Sequence, residues 1–493
     1  MGRQSKGHAI MISVPYQGHI NPFLNLALKL ASKGFTVTFV HLDFVHYKLS
    51  KAHHCSNGTE VDFFSEARES GLDIRYATIS DGLPLEFDRD HLEEYWEIIL
   101  RDFPARVDEF VGKMIDQSDP YSVQHFLVTD TVYAWSGPIA DKYRIVDVSF
   151  WTEPALVFSL FYHWDLLTER GHFPCKDKTK EINYIPGVKS LNTKDLTSTL
   201  KETGLESVIY KTLSLAFKRV KKADFILHNT VEEFEPDTLS ALNKYQPNYA
   251  IGPINFSKNA AMNIMISKSL WPESDCTHWL ESKPPNSVLY VSFGSFVHIS
   301  KQIIEEIAYG LLLSEVNFIW VVREGIILDS ADATNNVLPV GFENEVRDHK
   351  GLIVPWCNQI AILSSRAVGG FLTHCGWNST LESMWCGVPM ICYPVAYDQL
   401  TNRKLVVDDW KMGINLCDGE SVGRNEVAEK IKRFVGESAT SKSLRVEADK
   451  VKGAMRKASE IDGSSERNFD QFINDLEAEI DAKTTKAVNQ LVM

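Results

Sequence analysis

Between Trp356 and Gln399 the chain reads WCNQIAILSSRAVGGFLTHCGWNSTLESMWCGVPMICYPVAYDQ, and its polar residues collect at particular junctions. His374, Trp377, Asn378 and Ser379 stand where an apolar β-type run (VGGFLTH) gives way to a helix-type run (TLESMW). Asp398 and Gln399 follow the next apolar run (VPMICYP). This alternation predicts strand–helix–strand units of a parallel sheet. Ligands of such sheets bind beyond the carboxyl ends of the strands. Gly369, Gly370 and Gly376 are expected to let the backbone approach a ligand closely. The open N–H groups of a helix starting near Ser379 suit a phosphate. Each residue also has a plainer reading. Ser379 and Glu382 carry the S-x-x-E spacing of a capping box, Trp356 and Trp377 fit ordinary buried aromatics, and His374 fits a satisfied polar group.

The elements that must position these residues can be read outward. A chain of 493 residues predicts two domains rather than one core. The formal net charge of −14 argues against general nucleic-acid binding but leaves a local phosphate site open. The opening MGRQSKGHAIMISVP holds a short apolar run ending at Pro15 and reads as a first strand, not a signal peptide. No stretch reaches the length of a membrane span. The eight cysteines show neither a C-x-x-C pair nor zinc-like spacing, which suits reduced thiols in a cytoplasmic protein.

A strand at 8–15, a helix capped by Asn21 with Pro22 at its first position, and a strand at 35–43 open the chain. No G-x-G-x-x-G fingerprint accompanies this β–α–β unit, so no dinucleotide is expected there. His19 lies in the turn after the first strand, where its plainer reading is a helix-entry residue. Residues 44–72 read as a loop with helical pieces. Strands are expected at 73–79, 125–130, 145–151 and 223–230, and helices at 91–115 (broken near Pro104) and 132–143. Asp130 ends its strand, a position that often only caps the next helix. The second half predicts strands at 288–295, 317–323 and 351–356, a helix at 300–314, a loop at 324–340 and a charged helical segment at 441–482. Domain limits fall at 1–250 and 279–460, with a linker at 251–278 and a C-terminal element at 461–493.

Taken as one pattern, Trp356, Gln359, His374, Cys375, Gly376, Trp377, Asn378, Ser379, Glu382, Gly387, Val388, Pro389, Pro394, Asp398 and Gln399 resemble the signature box of plant family-1 UDP-sugar glycosyltransferases nearly position for position. PYQGHINP, SFWTEP and VLYVSFGS support the resemblance; Ser365 departs from it, standing where the family usually has His, outside the main sugar-nucleotide contacts. The resemblance implies an α/β fold of the GT-B type: two facing Rossmann-like domains, a deep interdomain cleft, and a C-terminal helix crossing back to the first domain. It implies that His19 is the catalytic base and Asp130 the carboxylate behind it. A hydroxyl is a poor nucleophile at neutral pH, and a neutral His can take its proton as attack begins. The carboxylate would fix the tautomer and stabilise the imidazolium. Direct attack on the anomeric carbon would invert its configuration. By the same resemblance Trp356 would stack on uracil, Cys357 would act through its backbone, and Gln359 and Glu382 would bind ribose. His374, Ser295 and the N–H groups near Asn378 and Ser379 would meet the diphosphate, and Thr152, Trp377, Asp398 and Gln399 would hold the sugar.

The implied activity is O-glucosylation of an apolar small molecule, such as a phenolic or terpenoid of plant specialised metabolism, with UDP-glucose as co-substrate. No metal or other cofactor, no nucleic acid and no membrane span are expected, and a cytoplasmic monomer is. A non-catalytic sugar-nucleotide or small-molecule binding protein on the same fold is the alternative, disfavoured because such a module needs neither His19 nor Asp130. A dinucleotide-dependent oxidoreductase is disfavoured by the missing glycine fingerprint.

Overall fold

The computed structural model describes residues 5–492 apart from 53–63, 118–123, 175–179, 203–205, 257–268, 270, 328–336, 348–349 and 420. The chain divides into two compact units. One comprises Met1–Thr193, Thr199–Leu270 and Lys457–Met493, the other Lys194–Ser198 and Trp271–Arg456.

In the first unit the apolar runs become β1 (His8–Ile12), β2 (Thr36–Leu42), β3 (Ile74–Ile79), β4 (His125–Asp130) and β5 (Val146–Trp151). A short antiparallel pair, β6 (Glu181–Ile182) and β7 (Leu191–Asn192), precedes β8 (Phe225–His228) and β9 (Asn248–Ala250). The seven-stranded sheet runs β3-β2-β1-β4-β5-β8-β9, and its pairings are parallel. Every residue of β1, β2, β4 and β5 is buried, as expected of a parallel sheet covered on both faces. The chain leaves β1 on one side for β2 and later returns on the other as β4. That reversal opens a crevice at the carboxyl ends of β1 and β4.

The second unit repeats the plan with β10 (Val288–Ser292), β11 (Asn317–Val321), β12 (Gly351–Val354), β13 (Val368–Thr373), β14 (Met390–Cys392) and β15 (Gly413–Asn415). Its order is β12-β11-β10-β13-β14-β15, again parallel. The reversal here lies between β10 and β13. Both units are thus Rossmann-like, as a GT-B protein requires.

Several elements differ from expectation. The first helix is Gln17–Ser32, so it starts before Asn21 and carries Pro22 inside it. Proline's fixed φ is helical, and in the second turn it forfeits a single backbone bond. His19 therefore sits in the first turn of a helix rather than in a free turn. The region 91–115 is two helices, Leu92–Arg101 and Phe103–Asp116, hinged at Asp102 with Pro104 in the first turn of the second. The segment 441–482 is likewise two helices, Ala439–Ala458 and Ser464–Val492. Within 44–72 the structure has helices Asp43–Ala52 and Ser65–Glu69, and 53–63 lie outside the described residues. Of the loop expected at 324–340, residues 328–336 also lie outside them.

The helix Ser464–Val492 packs into the first unit, burying Phe469, Phe472 and Leu476 in its core. Lys29 pairs with Glu466 at 2.7 Å and Lys6 with Glu477 at 2.6 Å. Of 251–278, Ile251 and Ile254 belong to that same core. Ser274 donates its N–H to the Trp356 carbonyl of the second unit at 2.9 Å, while 257–268 and 270 lie outside the described residues. Among the described residues no helix is long and apolar enough to cross a membrane.

Candidate functional site

In the first unit the crevice between β1 and β4 receives His19 from the helix that follows β1 and Asp130 from the last position of β4. Their side chains meet: His19 Nδ1 lies 2.6 Å from Asp130 Oδ2. Asp130 is 1% exposed and His19 18%, so a buried carboxylate backs an imidazole that reaches the surface. Asp130 also accepts the Val132 N–H at 3.2 Å, which caps the turn after β4. Asp130 does not cap the helix that follows: that helix is Ser136–Tyr143, with Trp135 at its N-cap and no side-chain cap, so one oxygen of Asp130 holds the turn and the other faces His19. Thr152, just past β5, places its hydroxyl 3.1 Å from the same His19 Nδ1. An ionised carboxylate only accepts hydrogen bonds, so Nδ1 carries the proton and Nε2 the lone pair.

In the second unit β10 leads into Gly294 and Ser295, and β13 into His374. The His374 ring fills a slot made by two glycines. A Cβ on Gly294, whose φ is +72, would fall 2.5 Å from His374 Nε2, and one on Gly376 would fall closer still. Burial lowers the His374 pKa to about 4, against a hydrogen bond to the Ser292 backbone that raises it. Burial thus favours the neutral ring at pH 7. The next residue, Cys375, adopts φ +66. Two buried groups hold that left-handed turn: Thr373 Oγ1 accepts the Cys375 N–H at 3.1 Å, and Asn402 Nδ2 donates to the Cys375 carbonyl at 2.9 Å.

The helix Trp377–Cys386 starts directly after this turn, with Gly376 as its extended N-cap and no side-chain cap. This overturns the capping-box reading, because Ser379 and Glu382 are both inside the helix. Their spacing instead puts them on one face, where Gln359 Nε2 donates to Ser379 Oγ at 3.0 Å and to Glu382 Oε2 at 2.6 Å. Tyr290 of β10 donates to Gln359 Oε1 at 3.2 Å. Burial pushes the Glu382 carboxyl up to about 7, with the Gln359 amide pulling the other way. Cys357 is buried, with its sulfur 3.6 Å from the Tyr290 hydroxyl. The nearby Cys276 thiol, and after it burial, push its own thiol up. Trp356 stacks on Trp271 with ring centroids 4.4 Å apart.

Gly369 and Gly370 serve packing instead of a ligand. Added Cβ atoms would strike the Asn286 backbone and the Phe434 ring. Trp377 is buried beside Trp410 at 6.2 Å. Asp398 and Gln399 open the helix Gln399–Lys404 and are nearly buried. One Asp398 oxygen accepts from Asn402 Nδ2 at 2.6 Å. Gln399 Oε1 accepts the N–H groups of Val395 and Ala396 at 2.9 and 3.0 Å, so its amide NH₂ is the end suited to a ligand. Asn378 and Ser295 sit half-buried in the first turn of their helix and in the loop after β10.

The structure therefore gathers His19, Asp130 and Thr152 at one switch point. Ser295, His374, Asn378 and Ser379 share the other unit's switch point, with Gln359 and Glu382 beside Ser379. Sequence reasoning missed Trp271, Tyr290, Thr373 and Asn402. Tyr290 and Thr373 were hidden inside apolar strand patterns. Trp271 follows a stretch of weak periodicity.

Residues 248–437 match the family described as UDP-glucoronosyl and UDP-glucosyl transferase. UDP-glycosyltransferase 86A1 of Arabidopsis thaliana is 49% identical over 488 residues, covering 98% of this chain and 96% of that protein. The 7-deoxyloganetin glucosyltransferase of Gardenia jasminoides is 35% identical, covering 95% of this chain and 97% of its own. Among solved structures, Os79 from O. sativa in complex with UDP has a TM-score of 0.79 at 25% identity, covering 95% of this chain and 100% of that one. With an identity of 49% sustained along nearly its whole length, the chain belongs to the plant family-1 UDP-glycosyltransferases and is a UDP-sugar-dependent glycosyltransferase.

Proposed function

We propose that this enzyme transfers glucose from UDP-glucose to a hydroxyl of an apolar small molecule, with inversion at the anomeric carbon. The observation that carries the reading is the 2.6 Å pairing of His19 Nδ1 with the buried Asp130 carboxylate. It leaves the lone pair of Nε2 as the base for an acceptor hydroxyl. As the hydroxyl attacks, its proton passes to Nε2 and the imidazolium forms against Asp130. The bond from the anomeric carbon to the diphosphate oxygen breaks on the opposite face, and UDP leaves with the bonding pair. A single displacement of this kind inverts the centre.

The second unit supplies the donor's partners. Uracil stacks on the face of Trp356 that Trp271 does not cover, a contact worth roughly 1–3 kcal/mol by analogy with base–aromatic stacking. Cys357 contributes through its backbone. Gln359 and Glu382 take the ribose hydroxyls. Ser295 and the first N–H groups of the helix at Trp377, Asn378 and Ser379 meet the diphosphate as O–H and N–H donors, with the neutral His374 ring packed beside them. These donors carry the departing charge without a metal ion in the scheme. Trp377, Asp398 and Gln399 hold the hexose. Thr152 touches His19 and so acts beside the base, where it also reaches the transferring sugar.

Glucose is supported by the relative named as a glucosyltransferase and by the pair Asp398 and Gln399. A carboxylate accepts from adjacent hydroxyls while the Gln399 NH₂ donates, so the pair reads their orientation. UDP-glucose should outcompete UDP-galactose and UDP-glucuronate by at least ~10-fold in kcat/KM, about 1.4 kcal/mol. The test incubates the enzyme with the three donors at equal concentration and a panel of phenolic, terpenoid and carboxylate acceptors. Product mass, sugar identity and anomeric configuration are then read. Equal use of glucose and galactose, or a retained configuration, overturns the respective part of the reading. UDP-glucose binding without UDP release on any acceptor would favour the non-catalytic alternative.

A further inference from the structure

The corner Val395–Gln399 holds an unusual backbone conformation. Tyr397 has φ +59, the left-handed region that a residue with a Cβ rarely adopts. Such a residue persists where its surroundings over-determine it. Both of its backbone groups are tied to one distant residue. The Tyr397 N–H donates to Ser198 Oγ at 2.7 Å, and the Ser198 N–H donates to the Tyr397 carbonyl at 3.0 Å.

Three residues earlier, the Asp195 carbonyl accepts from Thr401 Oγ1 at 2.7 Å. The Asp195 carboxylate pairs with Arg403. Asp195, Thr401 and Arg403 are all buried. Arg403 also reaches Asp408 at 3.1 Å. Lys194–Ser198 is the segment that belongs to the second unit although the chain on both sides of it belongs to the first. On its other side the Tyr397 ring packs against Phe296 at 5.7 Å, in the loop next to Ser295.

We propose that Asp195 and Ser198 are positioning residues for donor-sugar discrimination: they hold the left-handed turn at Tyr397 and the first turn of the helix Gln399–Lys404, and so aim Asp398 and Gln399. The proposal rests on the assignment of those two residues to the sugar. Neither Asp195 nor Ser198 touches the uridine partners Trp356, Gln359 and Glu382. Loosening the corner therefore degrades reading of the sugar and leaves the nucleotide grip intact.

Three variants test it: Ser198→Ala, which removes the acceptor for the Tyr397 N–H; Ser198→Thr, which restores it; and Thr401→Val, which removes the bond to Asp195. Each is measured for kcat/KM with the preferred and the next-best UDP-sugar, for affinity towards UDP alone, and for melting temperature. Ser198→Ala and Thr401→Val should each cut the preference ratio by about tenfold, the scale of one lost positioning hydrogen bond. UDP affinity should stay within about twofold, and Ser198→Thr should recover the ratio.

An unchanged ratio overturns the proposal. So does a parallel loss of UDP affinity, which would mark a general loosening of the unit. If Ser198→Ala does not fold, Thr401→Val decides. If the wild-type enzyme prefers a sugar other than glucose, the donor assignment fails while the ratio still tests the corner. A wild type without preference overturns both.

Discussion

The two units place a histidine at the same point of the same topology and give it opposite surroundings. At each reversal of strand order, a histidine stands beyond the carboxyl end of a strand. In the first unit His19 is set against a buried carboxylate at 2.6 Å and reaches the surface. In the second His374 is enclosed by Gly294 and Gly376, and burial lowers its pKa to about 4. One environment suits a proton acceptor whose cation has a partner. The other suits a ring kept neutral and fixed in place. Fold sets where the two sites are, and the residues after the first and fourth strands of each sheet set what they do. The first unit uses an acid at the end of β4. The second uses small residues and an N-terminal helix turn.

The largest test of that contrast removes the proposed base of the first unit and its carboxylate partner separately. His19→Ala should lower kcat by about 10²-fold or more, the usual scale of a lost general base. UDP affinity should be unchanged, because the proposed uridine partners Trp356, Gln359 and Glu382 all belong to the second unit. Near-normal turnover with several acceptors would dissolve the distinction between the units. Asp130→Asn should cost about tenfold or more, since the amide can hold the wrong tautomer. It should also be less damaging than His19→Ala, because Nε2 is retained in part of the population. Full activity in Asp130→Asn would reduce that residue to its Val132 cap.

How far this contrast was visible in the chain itself depends on range. The strands of both sheets were legible, because a parallel sheet buried on both faces leaves long apolar runs. The junction residues His374, Asp398 and Gln399 were legible for the same reason. Pairings across the fold were not. His19 and Asp130 are 111 positions apart, and only the resemblance joined them. For Ser379 and Glu382 the sequence left two readings open, because S-x-x-E describes both a capping box and two neighbours on one helix face. The start of the helix at Trp377 decides between them. Gly369 and Gly370 carry no local mark that separates close approach to a ligand from close packing on Asn286 and Phe434. Ser198 grips Tyr397 from 199 positions away, with nothing in its neighbourhood to announce it.

A milder perturbation sharpens the second site. Gly294→Ala puts a Cβ at φ +72 and against the His374 ring, so it adds backbone strain of about 1–3 kcal/mol to a steric conflict. The donor KM should rise by roughly tenfold, with kcat at saturating donor changed far less because the proposed base, His19, belongs to the other unit. Equal losses in both constants would mean that the slot shapes the transition state and not merely donor binding.

The smallest expected effect is the most diagnostic, and it concerns Glu382. Its carboxyl is raised to about 7 because burial disfavours the charge more than the Gln359 amide stabilises it. Between its ordinary value and 7 the folded protein holds a proton that the unfolded chain has lost. This group's contribution to stability is therefore complete at low pH and is lost as pH rises through about 7. Glu382→Gln keeps the shape and removes the ionisation. Its melting temperature should match the wild type at pH 5 and equal or exceed it at pH 8. Donor binding should respond in the opposite sense. The ionised carboxylate is the stronger acceptor for ribose hydroxyls, so wild-type affinity for UDP-glucose, whose diphosphate does not titrate in this range, should tighten as pH rises through about 7. In Glu382→Gln that pH dependence should flatten and the KM at pH 8 should rise by a few-fold, the scale of one charge-assisted bond replaced by a neutral one. Calorimetric titration of both proteins from pH 6 to 9 measures this directly. Parallel pH profiles would take Glu382 out of the ribose site and leave it as Gln359's partner alone.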